Sequence, residues 1–104
     1  MSGAMKIRAR MKDGITDVAV LMMHPMETGQ RKDPRTGQTI PAHFIQKVTA
    51  AVNEKQVLVA QWGAAVSKNP LLGFRVEGAT AGDKLVITWE DNLGEKSRAE
   101  ATIA

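Results

Sequence analysis

Strict alternation of apolar and polar residues, turn residues set between the alternating runs, and weak helix signals throughout predict an all-β fold for this chain of 104 residues. Successive side chains of a strand point to opposite faces, so a period of two marks a sheet with one face buried and the other in water. The length makes residues 1–104 one domain, with room for a real core but none for a separate catalytic unit. Residues 1–4 read as a loose start or an expression scar.

The first strand is MKIRARMK, residues 5–12, where Met5, Ile7, Ala9 and Met11 alternate with Lys6, Arg8, Arg10 and Lys12 before Asp13 and Gly14 turn the chain. TDVAVLMMH (16–24) is the second, and HFIQKVTAAVN (43–53) with QVLVAQW (56–62) reads as a hairpin about a polar turn. In LLGFRVEG (71–78) Leu72, Phe74 and Val76 share a face, and in KLVITWE (84–90) Leu85, Ile87 and Trp89 do the same. KSRAEATI (96–103) closes the set by alternating Ser97, Ala99, Ala101 and Ile103 with charged or polar neighbours. About seven short strands separated mostly by turns predict an antiparallel β-sandwich of immunoglobulin-like type.

Three strands break the alternation. Residues 21–23, 57–60 and 85–87 are apolar in succession, so both of their faces favour leaving water. If Met22, Val59 and Ile87 point inward, then Leu21, Met23, Leu58, Trp62 and Val86 form an outward apolar patch, the usual mark of a partner interface.

The stretch 22–44 holds both histidines, three of the four prolines and the cations Arg31, Lys32 and Arg35. A connection of about 18 residues without structure of its own is more often functional than incidental. A zinc site from His24, His43 and Glu27 is conceivable from donor types, but the spacing matches no metal signature, and neither a metal nor another cofactor is expected. Ser67 lies on no nucleophile elbow, and Gly29 and Gly37 open no phosphate-binding helix. The stretch therefore reads as a recognition loop, with His24 and Met26 at its base and Arg31, Lys32 and Arg35 exposed, and the chain as no enzyme.

Composition narrows the partners. A formal charge of +3 and four aromatic residues give little basis for stacking on nucleic acid. The absence of cysteine excludes disulfides and thiol chemistry by this chain. No apolar run reaches the roughly 18 residues of a membrane helix, and no signal peptide is visible. Neither nucleic acid nor membrane is expected as a partner; a stand-alone protein-binding module is one reading these residues allow.

Four segments carry a closer resemblance. HPMETGQRKD (24–33), IPAHFI (40–45), SKNPLLGFRV (67–76) and TWEDNLG (88–94) together resemble the SoxZ family, the Z subunits of the bacterial thiosulfate-oxidising Sox system. The resemblance implies an immunoglobulin-like sandwich that pairs with a SoxY-like subunit as a heterodimer. The partner's flexible C-terminal arm bears a cysteine on which sulfur intermediates ride covalently, and other Sox enzymes contact the pair transiently. The resemblance also implies a periplasmic site of action, reached by export together with the partner. Some members carry a cysteine in the strand where this chain reads KVTAAVN, so no covalent link through that strand is implied here.

Overall fold

The computed structural model describes residues 4–104, and among them seven strands form two antiparallel sheets. In chain order these are β1 (Met5–Lys12), β2 (Ile15–Met22), β3 (Ile45–Val52), β4 (Lys55–Gln61), β5 (Leu71–Glu77), β6 (Lys84–Asp91) and β7 (Lys96–Thr102). One sheet has the order β1-β2-β5 and the other β4-β3-β6-β7, a β-sandwich as the alternation predicts. The expected loose start falls outside the described residues except for Ala4, whose carbonyl accepts the Met23 amide at 2.8 Å.

The core follows from strand parity. Val18, Val20 and Met22 of β2 face Val48, Ala50 and Val52 of β3 and Leu85, Ile87 and Trp89 of β6, and all of them are buried. Their apolar area removed from water supplies the main driving force for folding. The β1 row Met5, Ile7, Ala9 and Met11 and the β5 row Leu72, Phe74 and Val76 close the core from the smaller sheet.

The two sides of the sandwich differ. On one, β1 lies beside β7, and Ala104 stitches to it: Ala104 donates to the Ala9 carbonyl at 3.0 Å and accepts the Met11 amide at 2.9 Å. On the other, β4 and β5 are sheet edges with no strand beyond them among the described residues. Between these edges lies a hollow lined by Lys55 and Val57 from one strand and Val76 and Glu77 from the other.

The predicted outward patch is not one surface. Met22 and Ile87 do point inward, leaving Leu21 and Met23 on the outer side of the smaller sheet and Val86 on the outer side of the larger one. β4 has the opposite parity. Leu58 and Ala60 pair with the buried Ala50 and Val48 and share their inward direction, and Leu58, Ala60 and Trp62 all pack on the core. Val57 and Val59 are the exposed ones, at 39% and 43%. A β-bulge accounts for the reversal: Ala51 pairs with Gln56 while Ala50 pairs with Leu58, so Val57 is an additional residue that sequence alternation cannot place.

The long connection between β2 and β3 has structure of its own. Glu27 and His43 exchange backbone hydrogen bonds of 2.7 and 3.0 Å, Ile40 donates to the Arg31 carbonyl at 2.8 Å, and Lys32 bridges Thr39. Asp33 donates to the Gln38 carbonyl at 2.8 Å and accepts the Gly37 amide at 2.7 Å, closing a tip over 33–37. The segment is an irregular hairpin, here called the arm. Its two limbs approach closely at Gly29, where φ is +86° and a Cβ would lie 3.1 Å from that of Ala42, so glycine alone fits without displacement.

Candidate functional site

Where the arm joins the sandwich, the four segments that carry the family resemblance come together. His24, just past β2, donates its amide to Asn69 Oδ1 at 3.0 Å and accepts the Asn69 amide on its carbonyl at 3.0 Å. Its ring Nε2 lies 3.0 Å from Asp91 Oδ2 at the end of β6, and His43 Nε2, from the other limb of the arm, lies 2.8 Å from that same oxygen. Next along the chain, Asn92 accepts the Phe44 amide at 2.8 Å and donates to the Ala42 carbonyl at 2.9 Å. Met26 is buried with φ at +49°, and its Sδ accepts the Ile45 amide at 3.3 Å.

Asp91 is the hub. Oδ2 takes both imidazoles while Oδ1 accepts the amides of Leu93 at 3.0 Å and Glu95 at 2.9 Å, so a carboxylate only 2% exposed is saturated with donors. Burial works to raise its pKa, but the hydrogen bonds from His24, the Glu95 amide, His43 and the Leu93 amide outweigh burial and hold the carboxyl below its ordinary range. The His24 ring packs edge-on against His43 at 4.5 Å and against the buried Trp89 at 5.0 Å.

His24, His43 and Asp91 offer donor atoms within 4.8 Å of one another, a spacing a metal ion could use. The hydrogen-bond pattern argues against that use. His24 Nδ1 accepts the Met26 amide at 3.1 Å, which puts the ring proton on Nε2, the nitrogen turned to Asp91. A metal at Nε2 would have to displace a proton that Nδ1 cannot take up without losing that bond. The cluster is a hydrogen-bonded pin fastening both limbs of the arm to the end of β6.

His24 and Met26, expected at the arm's base, lie there, and His43 joins them from the other limb. Glu27, considered beside them as a metal donor, turns its carboxylate to Arg31 at 2.6 and 3.1 Å, and this bond is the main cause of its lowered pKa and of the raised one of Arg31. Arg31 is thus committed to an ion pair, while Lys32 and Arg35 stand exposed further along the arm. Asp91, Asn92 and Asn69 were not anticipated as site residues. Asp91 did leave a signal, for it continues the inward row Leu85, Ile87, Trp89 of β6, where a carboxylate demands buried partners.

Solved structures show the fold in other settings. A superoxide reductase (neelaredoxin) variant from Archaeoglobus fulgidus in its reduced form is 18% identical, with 99% of this chain and 87% of that chain covered at a TM-score of 0.64. A superoxide reductase in the oxidized state is 16% identical over 100% of this chain and 90% of that one, at a TM-score of 0.57. At such identities the likeness is one of fold alone. Comparison with curated proteins by sequence finds no match. A family model described as sulphur oxidation protein SoxZ matches residues 5–102, a span that includes every strand, the arm and all the residues of its pin. The chain belongs to the SoxZ family, which makes it a subunit of a sulfur-oxidising Sox system.

Proposed function

We propose that this chain is the thiol-free, non-catalytic half of a sulfur carrier. It pairs with a SoxY-like subunit whose C-terminal-arm cysteine bears the sulfur intermediates of thiosulfate oxidation, and it acts in the periplasm after export with that partner. The family match over residues 5–102 of a chain without cysteine carries this reading. Covalent sulfur transfer needs a thiolate, and a subunit that has none requires a partner that supplies it. Among the described residues, His43, the partly exposed member of the pin, turns its Nε2 to the carboxylates of Asp91 and Glu95, which fits a structural role better than a catalytic one.

The surface best suited to a lasting partner is the outer face of the larger sheet. Val59 of β4, Thr49 and Ala51 of β3, and Val86 and Thr88 of β6 share that face by register, with Val57 exposed at the bulge on its edge, forming a surface of small and β-branched residues. Leu21 and Met23 lie on the opposite sheet and have no part in it. Of the patch read from sequence, Val86 remains, joined by the two exposed valines of β4.

Pairing of the chain with its SoxY-like subunit, followed by titration, tests the assignment. Val59→Asp is expected to weaken pairing by about tenfold or more while leaving thermal stability near wild type. Leu58→Asp, one residue away but facing the core, is expected to destabilise the chain itself, by on the order of 3 kcal/mol. Normal pairing by a folded Val59→Asp chain would exclude this face as the interface.

A further inference from the structure

The outer face of the smaller sheet holds a trough that the carrier reading leaves unused. Its long wall is the outward row of β1, Lys6, Arg8, Arg10 and Lys12, whose members are spaced about 6.8 Å apart by the strand repeat. Sheet register sets Lys6 beside Leu21 and Leu71, Arg8 beside Ala19 and Gly73, and Arg10 beside Asp17 and Arg75. Two adjoining hollows of about 370 Å³ each lie along this wall and share Arg8 and Ala19.

Two independent observations bear on what this face does. The first is the state of its charges. The cations Lys84 and Arg98 of the larger sheet pair with Glu100 at 3.6 and 2.6 Å, and Asp17, the acid beside Arg10, is taken by Arg75 at 3.0 Å. None of the four β1 cations has an ion-pair partner among the described residues. The second is Gly73. Its φ lies outside the left-handed region, and a Cβ there would meet nothing nearer than the Val18 carbonyl at 3.9 Å, so neither backbone nor packing within the chain requires glycine. Glycine inside a strand weakens it, and one of its recurring uses is to let another backbone approach closely. Charged side chains on a sheet edge can serve simply to discourage aggregation. That role would explain the β1 cations and would leave Gly73 unexplained.

We propose that this trough binds an extended acidic segment of a partner protein, lying along β2 with its backbone over Ala19 and Gly73. Carboxylates at alternate positions of such a segment repeat at the spacing of the β1 cations and reach Arg8 and Arg10, while an apolar side chain at one end covers Leu21 and the 71% exposed Leu71. The inference goes beyond the pairing proposed above and uses the opposite sheet, so either can fail alone.

Fluorescence anisotropy of a labelled synthetic peptide that alternates Glu and Ala and ends in Leu tests it on the full chain. Saturable binding that weakens as salt is raised is expected, with a loss of about tenfold or more in Arg8→Glu with Arg10→Glu. Gly73→Val, which sets a branched side chain beside Ala19 without changing charge, is expected to cause a comparable loss while its circular dichroism stays that of wild type. Wild-type affinity in a folded Gly73→Val chain would overturn the proposal, and so would absence of binding to wild type. Equal competition by free sulfate, which would reduce the trough to a small-anion site, or by a single-stranded oligonucleotide, which would make it a nucleic-acid surface, would overturn it as well.

Discussion

Asp91 shows how much one side chain can organise. Its two oxygens accept from His24, His43 and the amides of Leu93 and Glu95, so replacing either oxygen with a donor sets donor against donor in a buried site. Asp91→Asn is expected to cost about 1–3 kcal/mol, lowering the melting temperature by roughly 4–8 °C for each kcal/mol in a domain of this size. A carboxyl whose folded pKa is lowered stabilises the fold above its unfolded value, near 4, and loses that contribution as pH falls through the folded value. Thermal unfolding of wild type should therefore lose stability through this group only below about pH 4, and the Asp91→Asn chain should lack that component. A wild-type curve identical in shape to the variant's would mean that Asp91 carries no linked proton. Strand parity made the inward direction of Asp91 legible in the sequence. Its partners were not legible, because His43 and His24 lie 48 and 67 positions away and only the folded topology brings them together.

At the scale of elements, alternation located all seven strands, since each has one face in the core and the pattern records that directly. It failed on β4, where the bulge at Val57 breaks the parity, and on the arm, whose limbs pair irregularly and bury little apolar surface to leave a periodic trace. With His24 and His43 pinned at its base and Gly29 pressed on Ala42, the arm is a fixed projection that presents Lys32 and Arg35 to the surroundings. We propose that these two cations steer transient docking of other Sox enzymes. Arg31, neutralised by Glu27, contributes little to it. Lys32→Glu with Arg35→Glu is expected to leave the fold and subunit pairing intact but to slow that docking several-fold at low ionic strength, with the difference shrinking as salt is raised. Stopped-flow association with a Sox enzyme at two salt concentrations measures this, and equal rates at low salt would return the arm to a purely structural role.

The whole molecule is longer than a sphere of its mass, 52 × 21 × 19 Å, with a radius of gyration of 15.5 Å against about 13 Å for a compact chain of 100 residues. Elongation separates three surfaces of different chemistry: the valine-bearing face of the larger sheet, the row of β1 cations on the smaller one, and the arm. None of them offers a thiol, and the six methionine thioethers do not form persulfides. Intact mass spectrometry of the separated subunits after turnover with thiosulfate should show added sulfur on the partner and an unchanged mass for this chain. A reproducible sulfur-sized increase here would contradict the division of labour.

The stitching of Ala104 onto β1 also bears on how far assembly can go. A sheet that offers free hydrogen-bonding edges on two opposite sides can add strands in both directions and grow into a fibre. Here the β1 edge is covered in part, where Ala9 and Met11 bond to Ala104, whereas β4 and β5 are edges with no strand beyond them among the described residues. By occupying part of the β1 edge, Ala104 disfavours strand addition there and directs it to the β4 and β5 side, which works against open-ended polymerisation.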